Sequence, residues 1–167
     1  MNTLKENIIN QKLEKVIYTE LNYPKRQIFH SGFDTFDFGI NLIMKNGFCW
    51  NLTWKDNEYF ELGTTFETKN KHIRKEEIVN FDASQTWKSY FNHVIKDVKF
   101  YFIDQDCIFL NRVCILLDND QKINIVIGEE LNLDNSIPCP LNYRIGGHLY
   151  VFHNEELFNN KFELGKS

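Results

Sequence analysis

The sequence predicts an α+β protein whose framework is mainly antiparallel β-sheet. Apolar and polar residues alternate in many short stretches, which is the period of a half-buried strand. Helical spacing appears in only three segments, and strands do not alternate with helices as they do in a parallel βαβ sheet. The chain has 167 residues, so we predict a single domain over residues 1–167 with two β meanders and three helices.

The N-terminal segment predicts an amphipathic helix over residues 3–21. Thr3 and Glu6 have the spacing of a capping box, and Pro24 ends the pattern. The apolar residues between them recur at helical spacing: Ile9, Leu13, Val16, Ile17 and Leu21. A first β segment is predicted to follow over residues 26–80.

The hairpin around Asn46 and Gly47 has a register that the apolar pattern predicts. A two-residue turn would place the apolar residues of its two strands on different faces. A three-residue loop, 45–47, with a left-handed Gly47 sets Leu42 opposite Trp50 and unites the apolar residues on one face. We predict that this face is core, formed by Phe36, Phe38, Ile40, Leu42, Trp50, Leu52 and Trp54. Asn51 and Thr53 are expected on the wetter side.

The second half predicts a helix, a second β segment and a short closing helix. One helical stripe over residues 84–97 holds Trp87, Tyr90, Phe91, Val94 and Ile95. Strands are predicted over residues 98–153, with Leu117 opposite Ile123 across the turn at 118–121. The last strand, 147–152, is apolar on both faces and is expected inside the sheet. Asn154 then caps a short helix over residues 154–161.

Residue types that carry catalysis occur in patterns that do not favour an enzyme. His148 and His153 are five apart in a strand, face opposite sides and are not expected to share a metal. The four cysteines form no CxxC pair, and His30, Ser31 and Asp34 are interpreted as a turn. HExxH, GxSxG and P-loop patterns are absent from the sequence. We expect no catalytic residue, no metal and no cofactor.

Charge and hydropathy exclude two kinds of partner. The net charge is −4, and the basic cluster over residues 69–75 is followed at once by Glu76 and Glu77, so no nucleic-acid partner is predicted. No run approaches the about eighteen apolar residues of a membrane helix, and no membrane partner is expected. The N-terminal residues lack the pattern of a signal peptide, so we expect a cytoplasmic protein with reduced cysteines. The abundance of Asn, Lys and Ile is typical of an AT-rich bacterial genome.

Acidic residues cluster at predicted turns of the second half and form the predicted binding site for a basic protein partner. They are Asp104, Asp106, Asp118, Asp120, Glu129, Glu130 and Asp134. A rim of carboxylates would steer such a partner toward the protein. The alternative is that they keep turns soluble and protect strand edges. Calcium is the third reading, although no twelve-residue EF-hand loop occurs.

Three segments resemble small single-domain bacterial immunity proteins, which are encoded beside polymorphic toxins. They are GINLIMKNGFCWNLTW (Gly39–Trp54), FDASQTWKSYFNHVIKDV (Phe81–Val98) and LYVFHNEEL (Leu149–Leu157), and they cover roughly a third of the chain. The resemblance lies in packing residues and not in a catalytic motif. It implies a cytoplasmic protein that binds and neutralises a cognate toxin.

Three functions are therefore carried forward. The first is an immunity-type protein that binds a toxin domain, for which a basic domain would suit the acidic residues. The second is a structural or self-associating module, with a homodimer formed through the helix of residues 2–21 or through an edge strand. The third is an enzyme that acts on a small molecule without a recognisable motif.

Overall fold

Two antiparallel sheets make up most of the chain that the structure describes. The structure is a computed structural model, and it describes residues 2–22, 27–55, 59–64, 77–102, 110–130, 141–142 and 148–164. In chain order the elements are α1 (Asn2–Ile8), β1 (Leu13–Leu21), β2 (Phe33–Phe36), β3 (Gly39–Met44), β4 (Cys49–Lys55), β5 (Tyr59–Gly63), β6 (Ile78–Asp82), a 3₁₀ turn (Lys88–Tyr90), β7 (Ile95–Phe102), β8 (Leu110–Leu117), β9 (Lys122–Glu130), β10 (Leu141–Asn142), β11 (His148–Phe152) and α2 (Glu155–Leu164).

The strand order shows that the two halves of the chain are interleaved. The first sheet has the order β5-β4-β3-β1-β6 and the second has the order β2-β11-β9-β8-β7, with β10 paired to β9. The short strand β2 comes from the first half of the chain but pairs with β11, near the C-terminus. The two predicted meanders are therefore not independent, because β2 fastens the first half to the second sheet.

The predicted N-terminal helix over residues 3–21 is wrong beyond its first two turns. Helix α1 ends at Ile8, and residues 13–21 form β1, which pairs with β3 on one side and β6 on the other. The run Val16-Ile17-Tyr18-Thr19 consists of β-branched and aromatic residues, which favour strands. The helix prediction gave more weight to the helical spacing of the apolar residues than to this strand preference. Leu13 and Val16 of the predicted stripe are buried in the core together with Leu4 and Ile8 of α1, whereas Ile9, Ile17 and Leu21 are partly buried.

The predicted helix over residues 84–97 is also wrong. The segment forms a series of turns with the 3₁₀ turn Lys88–Tyr90 at its centre, and β7 begins at Ile95. Successive backbone bonds join residues three apart, as from Tyr90 N to Trp87 O at 2.9 Å and from His93 N to Tyr90 O at 3.0 Å. Aromatic and β-branched residues are weak helix formers, so pairing of Ile95 with residues 10 and 11 draws the end of the segment into a strand.

The hairpin of β3 and β4 confirms the predicted three-residue loop. Leu42 is opposite Trp50, and Gly47 has a φ of +83°. Met44 N donates to Phe48 O at 2.8 Å, which closes the loop. The predicted core residues of this hairpin are buried. The side chain of Trp54 is not among those that the structure describes.

The β8–β9 turn has a register two residues away from the predicted one. Ile123 pairs with Ile115 and not with Leu117, whose partner in β7 is Ile95. Asp120 has a φ of +62°, and Leu117 N donates to Gln121 O at 3.0 Å. The turn is therefore longer than predicted and includes residues that the prediction had paired in the strands. A shift of two keeps the same side chains on the core face, because the side-chain period of a strand is two.

The core lies between the two sheets and draws residues from both. Trp50 of the first sheet meets Phe100 of the second edge-to-face, with ring centroids 6.2 Å apart. The two remaining predictions are confirmed: β11 lies inside the second sheet, between β2 and β9, and α2 closes the described chain. Asn154 caps α2 by accepting from Leu157 N at 3.0 Å. Phe158 of α2 packs on the opposite face of the second sheet.

On the side of the first sheet that faces away from this core, Asn51 is buried, contrary to the prediction, whereas Thr53 is partly exposed. Asn41 and Asn51 are 0% and 1% exposed. They belong to a chain of hydrogen bonds across four strands, in which Thr53 donates to Asn51, Asn51 to Asn41, Asn41 to Thr19 and Thr19 to Asn80. The amides are buried at low cost because partners in neighbouring strands satisfy them.

Candidate functional site

The structure separates the acidic residues that were predicted to bind a partner. Asp118 and Asp120 lie in the β8–β9 turn, whereas Glu129 and Glu130 end β9, about 26 Å away at the usual rise per strand residue. Nothing is described of the side chains of Glu129 and Glu130, and Asp104, Asp106 and Asp134 lie outside the described residues. Of the predicted site, the described side chains are those of Asp118 and Asp120.

The turn that carries Asp118 and Asp120 is ordered by side-chain hydrogen bonds. Asp118 Oδ1 lies 2.8 Å from His93 Nδ1, and a hydrogen bond with the backbone of Val94 adds to this contact. The hydrogen bond of His93, followed by that of Val94, lowers the pKa of Asp118. Asn119 Nδ2 donates to Gln121 Oε1 at 2.7 Å. The Asp118 carboxylate is thus held in one position and stays ionised at neutral pH.

Asp120 is the most exposed acidic side chain of the turn. Its side chain is 81% exposed, and Lys96 Nζ lies 3.3 Å from its Oδ1. Lys96 is itself 57% exposed, so this ion pair lies in water and contributes between about zero and 1 kcal/mol. A cation of another protein can therefore replace Lys96 at low cost.

A second polar cluster lies inside the protein, around Asp34 of β2. Asp34 is 1% exposed, and its Oδ2 accepts from the hydroxyls of Tyr18 at 2.6 Å and Thr86 at 3.3 Å. The same oxygen lies 2.9 Å from His153 Nε2. A buried carboxylate needs such partners, because an uncompensated charge in the interior costs several kcal/mol. The cluster joins β1, β2, the segment before the 3₁₀ turn and the end of β11.

Aromatic residues close this cluster on its remaining sides. Trp87 Nε1 donates to the Tyr18 hydroxyl at 2.6 Å. The Tyr90 ring stacks on the His153 ring with centroids 5.7 Å apart, and its hydroxyl donates to His153 O at 3.3 Å. Burial raises the pKa of Tyr90, and the charge of Asp34 raises it further.

His153 is the one titratable group of the cluster with a buried polar atom left over. Its Nδ1 has no hydrogen-bond partner among the described residues, while its Nε2 faces Asp34. A histidine oriented by a carboxylate is a common element of general-base catalysis. Here Trp87 and Tyr90 pack against the ring and, with Asp34, fix its orientation.

Two further histidines of the described chain, His148 and His30, have other partners than this cluster. His148 Nδ1 lies 2.5 Å from Asp37 Oδ1, so the two histidines of the last strand contact different carboxylates. His30 stacks on Phe33 and lies 3.2 Å from Gln27 O, away from the Asp34 carboxylate. Within the described chain, no group of three or more His, Cys, Asp or Glu could hold a metal ion.

The cysteines in the described chain are Cys49 and Cys114. Burial raises the pKa of both thiols, which lowers their reactivity. Cys107 and Cys139, like the basic residues 69–75, lie outside the described residues.

Asp34 was predicted only as part of a turn, and the cluster around it was not predicted from the sequence. A signal was present, since Asp34 is two residues from Phe36 and therefore lies on the same, core-facing side of its strand. A carboxylate on a core face needs buried donors. The donors come from residues 18, 86 and 153, whose approach to one another is decided only by the tertiary fold.

The buried Tyr18 is expected to make the free energy of unfolding depend on pH in the alkaline range. Burial, and after it the charge of Asp34, raises the pKa of Tyr18 well above its ordinary value of 10.0. The folded protein therefore holds this proton more tightly than the unfolded chain. Stability is complete below pH 10 and falls as the pH rises further, by at most about 1.4 kcal/mol per pH unit for one group.

We expect urea midpoints to fall more steeply above pH 10 in the wild type than in a Tyr18→Phe variant. The variant also loses two buried hydrogen bonds, one to Asp34 and one from Trp87, so the comparison rests on the slope with pH and not on the midpoint at neutral pH. Equal slopes would show that Tyr18 ionises normally in the folded state.

The fold and the two clusters define an α+β protein of two packed antiparallel sheets. None of the described helices is both long enough and apolar enough to cross a membrane. Comparison with models of protein families, with curated proteins and with solved structures found no match to this chain.

Proposed function

We propose that the protein is a cytoplasmic binding module of the immunity type, which neutralises a cognate toxin by binding a basic surface of it. The observation that carries the proposal is the β8–β9 turn, in which Asp118 and Asp120 are exposed and ordered. A carboxylate on a flexible loop would lose conformational entropy on binding, whereas the Asp118 carboxylate is already held by His93, whose ring also contacts Asn119.

The charge balance of the turn also supports a binding role. His93 and Lys96 contact Asp118 and Asp120 through exposed groups. A toxin that supplies lysine or arginine side chains exchanges one surface ion pair for another that becomes desolvated in the interface. Charge pairs of this kind set specificity and the association rate more than raw affinity.

The buried cluster around Asp34 gives the proposal a second, independent support. Asp34 Oδ2 is surrounded by the donors Tyr18 and Thr86 and by the imidazole of His153. A group that binds this many partners in the resting protein contributes rigidity. A rigid scaffold that presents an ordered turn fits recognition of a preformed surface.

The test is a pull-down from the source organism with two matched variants. Asp118→Asn with Asp120→Asn removes two charges from the turn, and asparagine tolerates the left-handed backbone at position 120. Glu6→Gln with Glu77→Gln removes two exposed charges elsewhere and is the control. We expect one near-stoichiometric partner with the wild type and the control, and at least about tenfold less with the turn variant.

Two results would contradict the proposal. Equal recovery of the partner with both variants would show that the turn is not the binding surface. Recovery of the bait alone, across growth conditions in which the neighbouring genes are expressed, would remove the support for a toxin partner. Thermal unfolding of each variant checks that it is folded.

A further inference from the structure

The imidazole ring of His93 has a hydrogen-bond partner at each of its two nitrogens. Nδ1 lies 2.8 Å from Asp118 Oδ1, and Nε2 lies 3.0 Å from Asn119 Nδ2. Both partners belong to the β8–β9 turn, whereas His93 lies shortly before β7, so the ring joins two separate segments of the chain. The His93 side chain is 32% exposed, and protons of the solvent therefore reach it.

The backbone holds His93 beside this turn. Asp118 N donates to Val94 O at 2.9 Å, and His93 N donates to Tyr90 O at 3.0 Å. Val94 also forms an antiparallel bridge with Lys12, just before β1. Because main-chain bonds position the ring, a change in its charge acts mainly on the side chains of the turn.

The tautomer of His93 follows from the hydrogen bonds of Asn119. The backbone nitrogen of Gln121 can only donate, and it donates to Asn119 Oδ1 at 3.1 Å. The other end of this amide is Nδ2, which donates to Gln121 Oε1 at 2.7 Å and also faces His93 Nε2. Since Nδ2 is a donor only, Nε2 is the acceptor, and the proton of the neutral ring is on Nδ1, which donates to Asp118.

Protonation of His93 places a second N–H on the ring, directed at a donor. The N–H groups of His93 Nε2 and Asn119 Nδ2 would then face each other across 3.0 Å. Rotation of the amide would offer Oδ1 to the imidazolium but would take it from Gln121 N. The turn therefore loses either its contact with the ring or the side-chain bond that closes it over Asp120, whose φ is +62°.

The charged side chains around the ring come from three elements. They are Asp118 and Asp120 of the turn, Lys96 of β7 and Lys12 before β1. Asp118 attracts the additional proton, whereas Lys12, whose charge acts on the same carboxylate, opposes it. Lys96 and Asp120 pair with each other at 3.3 Å. Imidazole groups change charge between about pH 5 and pH 8, so a histidine in this position responds to mild acidification.

We propose that His93 makes the order of the β8–β9 turn depend on pH. The neutral imidazole holds the turn through Asp118 and Asn119, and the imidazolium releases Asn119. The imidazolium also adds a positive charge beside the carboxylates of the turn. Both effects weaken the attraction of a basic partner, so binding is strong while His93 is neutral and falls as the pH falls through its titration. This consequence rests on the proposed function, whereas the response of the turn itself does not.

NMR of the free, full-length protein, titrated from about pH 8 to about pH 5, tests the response of the turn. The ring nitrogen shifts of His93 identify its tautomer, and the backbone amide of Gln121 reports the bond that closes the turn. We expect the Nδ1–H tautomer at the higher pH, and a Gln121 amide shift that follows the same titration curve as the ring. His93→Asn keeps a donor near the position of Nδ1 but does not titrate, so the Gln121 shift should lose this curve.

Two asparagine-to-aspartate variants separate the Asn119 contact from general electrostatics. Asn119→Asp places an ionised acceptor opposite His93 Nε2 and should raise the titration midpoint of His93 by about 1 pH unit. Asn92→Asp adds the same charge at an exposed residue next to His93 in sequence, where solvent screens it. It should shift the midpoint less than about half as far.

Three results of this titration would overturn the proposal. The first is a neutral His93 that carries its proton on Nε2. The second is a Gln121 amide that does not follow the titration of the ring. The third is an equal shift of the midpoint in Asn119→Asp and Asn92→Asp, which would show that the contact with Asn119 has no special effect.

Recovery of the partner at about pH 7.5 and about pH 5.5 tests the consequence for binding. With the wild type we expect at least about fivefold less partner at the lower pH, and with His93→Asn a clearly smaller ratio between the two pH values. A partner recovered equally at both pH values would overturn the regulation and leave the proposed function intact. Recovery of no partner at either pH would contradict the proposed function, while the titration of the free protein still decides whether His93 controls the turn.

Discussion

Replacing Asp34 with alanine is expected to destabilise the protein by about 3–5 kcal/mol, the range found when one partner of a buried, charged network is removed. The substitution leaves the hydroxyls of Tyr18 and Thr86 and the His153 ring without their common acceptor. It also opens a small cavity between β1 and β2. Chemical denaturation, with the free energy of unfolding extrapolated to water, measures the effect.

Asp97→Ala is the matched control for this experiment. Asp97 is likewise a strand aspartate, which lies 3.4 Å from Lys5 and accepts from Val98 N at 2.8 Å, but its side chain is 39% exposed. An exposed pair of this kind is expected to contribute under about 1 kcal/mol. If both substitutions cost the same, the Asp34 cluster does not anchor the fold, and its hydrogen bonds would have to be weak or replaced by water.

Deletion of residues 1–22 is expected to abolish folding rather than to produce a folded monomer. The deletion removes β1 from the middle of the first sheet, together with the buried side chains of Val16 and Tyr18. It leaves β3 and β6 without their common neighbour and exposes two strand edges, which favours aggregation. Circular dichroism and amide proton NMR dispersion would show the loss of cooperative structure.

Deletion of residues 1 and 2 is the milder comparison. It retains the buried Leu4 and Ile8 of α1, so the shortened chain is expected to fold like the wild type. A chain lacking residues 1–22 that still unfolds cooperatively, and that differs only in self-association, would contradict the central position of β1. That outcome would support the homodimer formed through this segment.

The local features of the fold were predictable because their causes are local. In the β3–β4 hairpin, apolar alternation and a glycine suited to a left-handed loop residue act within a few positions of one another. The closing helix α2 begins after a capping asparagine, with Glu155 and Glu156 in its first turn. The interior position of β11 followed from its apolar residues on both faces.

The failures at residues 13–21 and 84–97 have one cause. Both segments carry apolar residues at spacings that fit a helix, and both are rich in β-branched or aromatic residues that tolerate a helix poorly. Strand formation in these segments depends on pairing with residues that are far away in sequence. Ile17 of β1 pairs with Asn41 and Asp82, and Ile95 of β7 pairs with Leu117.

The candidate site, like the fold, could be predicted from the sequence only in part. The sequence placed Asp118 and Asp120 in a turn, and the structure has them there, whereas their role in binding stays a prediction. The distance from this turn to Glu129 depends on the length of β9, which the sequence pattern did not convey.

The mainly antiparallel sheet of this protein could be predicted from its sequence, because alternation, turn residues and caps act over short distances. The central position of β1, the place of β2 in the second sheet and the contacts of Asp34 with Tyr18 and His153 depend on the tertiary fold and could not be predicted in this way. The hydrogen bonds of Asp34 join different strands, 16 residues apart for Tyr18 and 119 residues apart for His153, so they depend on the packing of the two sheets against each other. The free energy of these hydrogen bonds depends on that packing, and the residues that form them follow no periodic pattern in the sequence of any one segment.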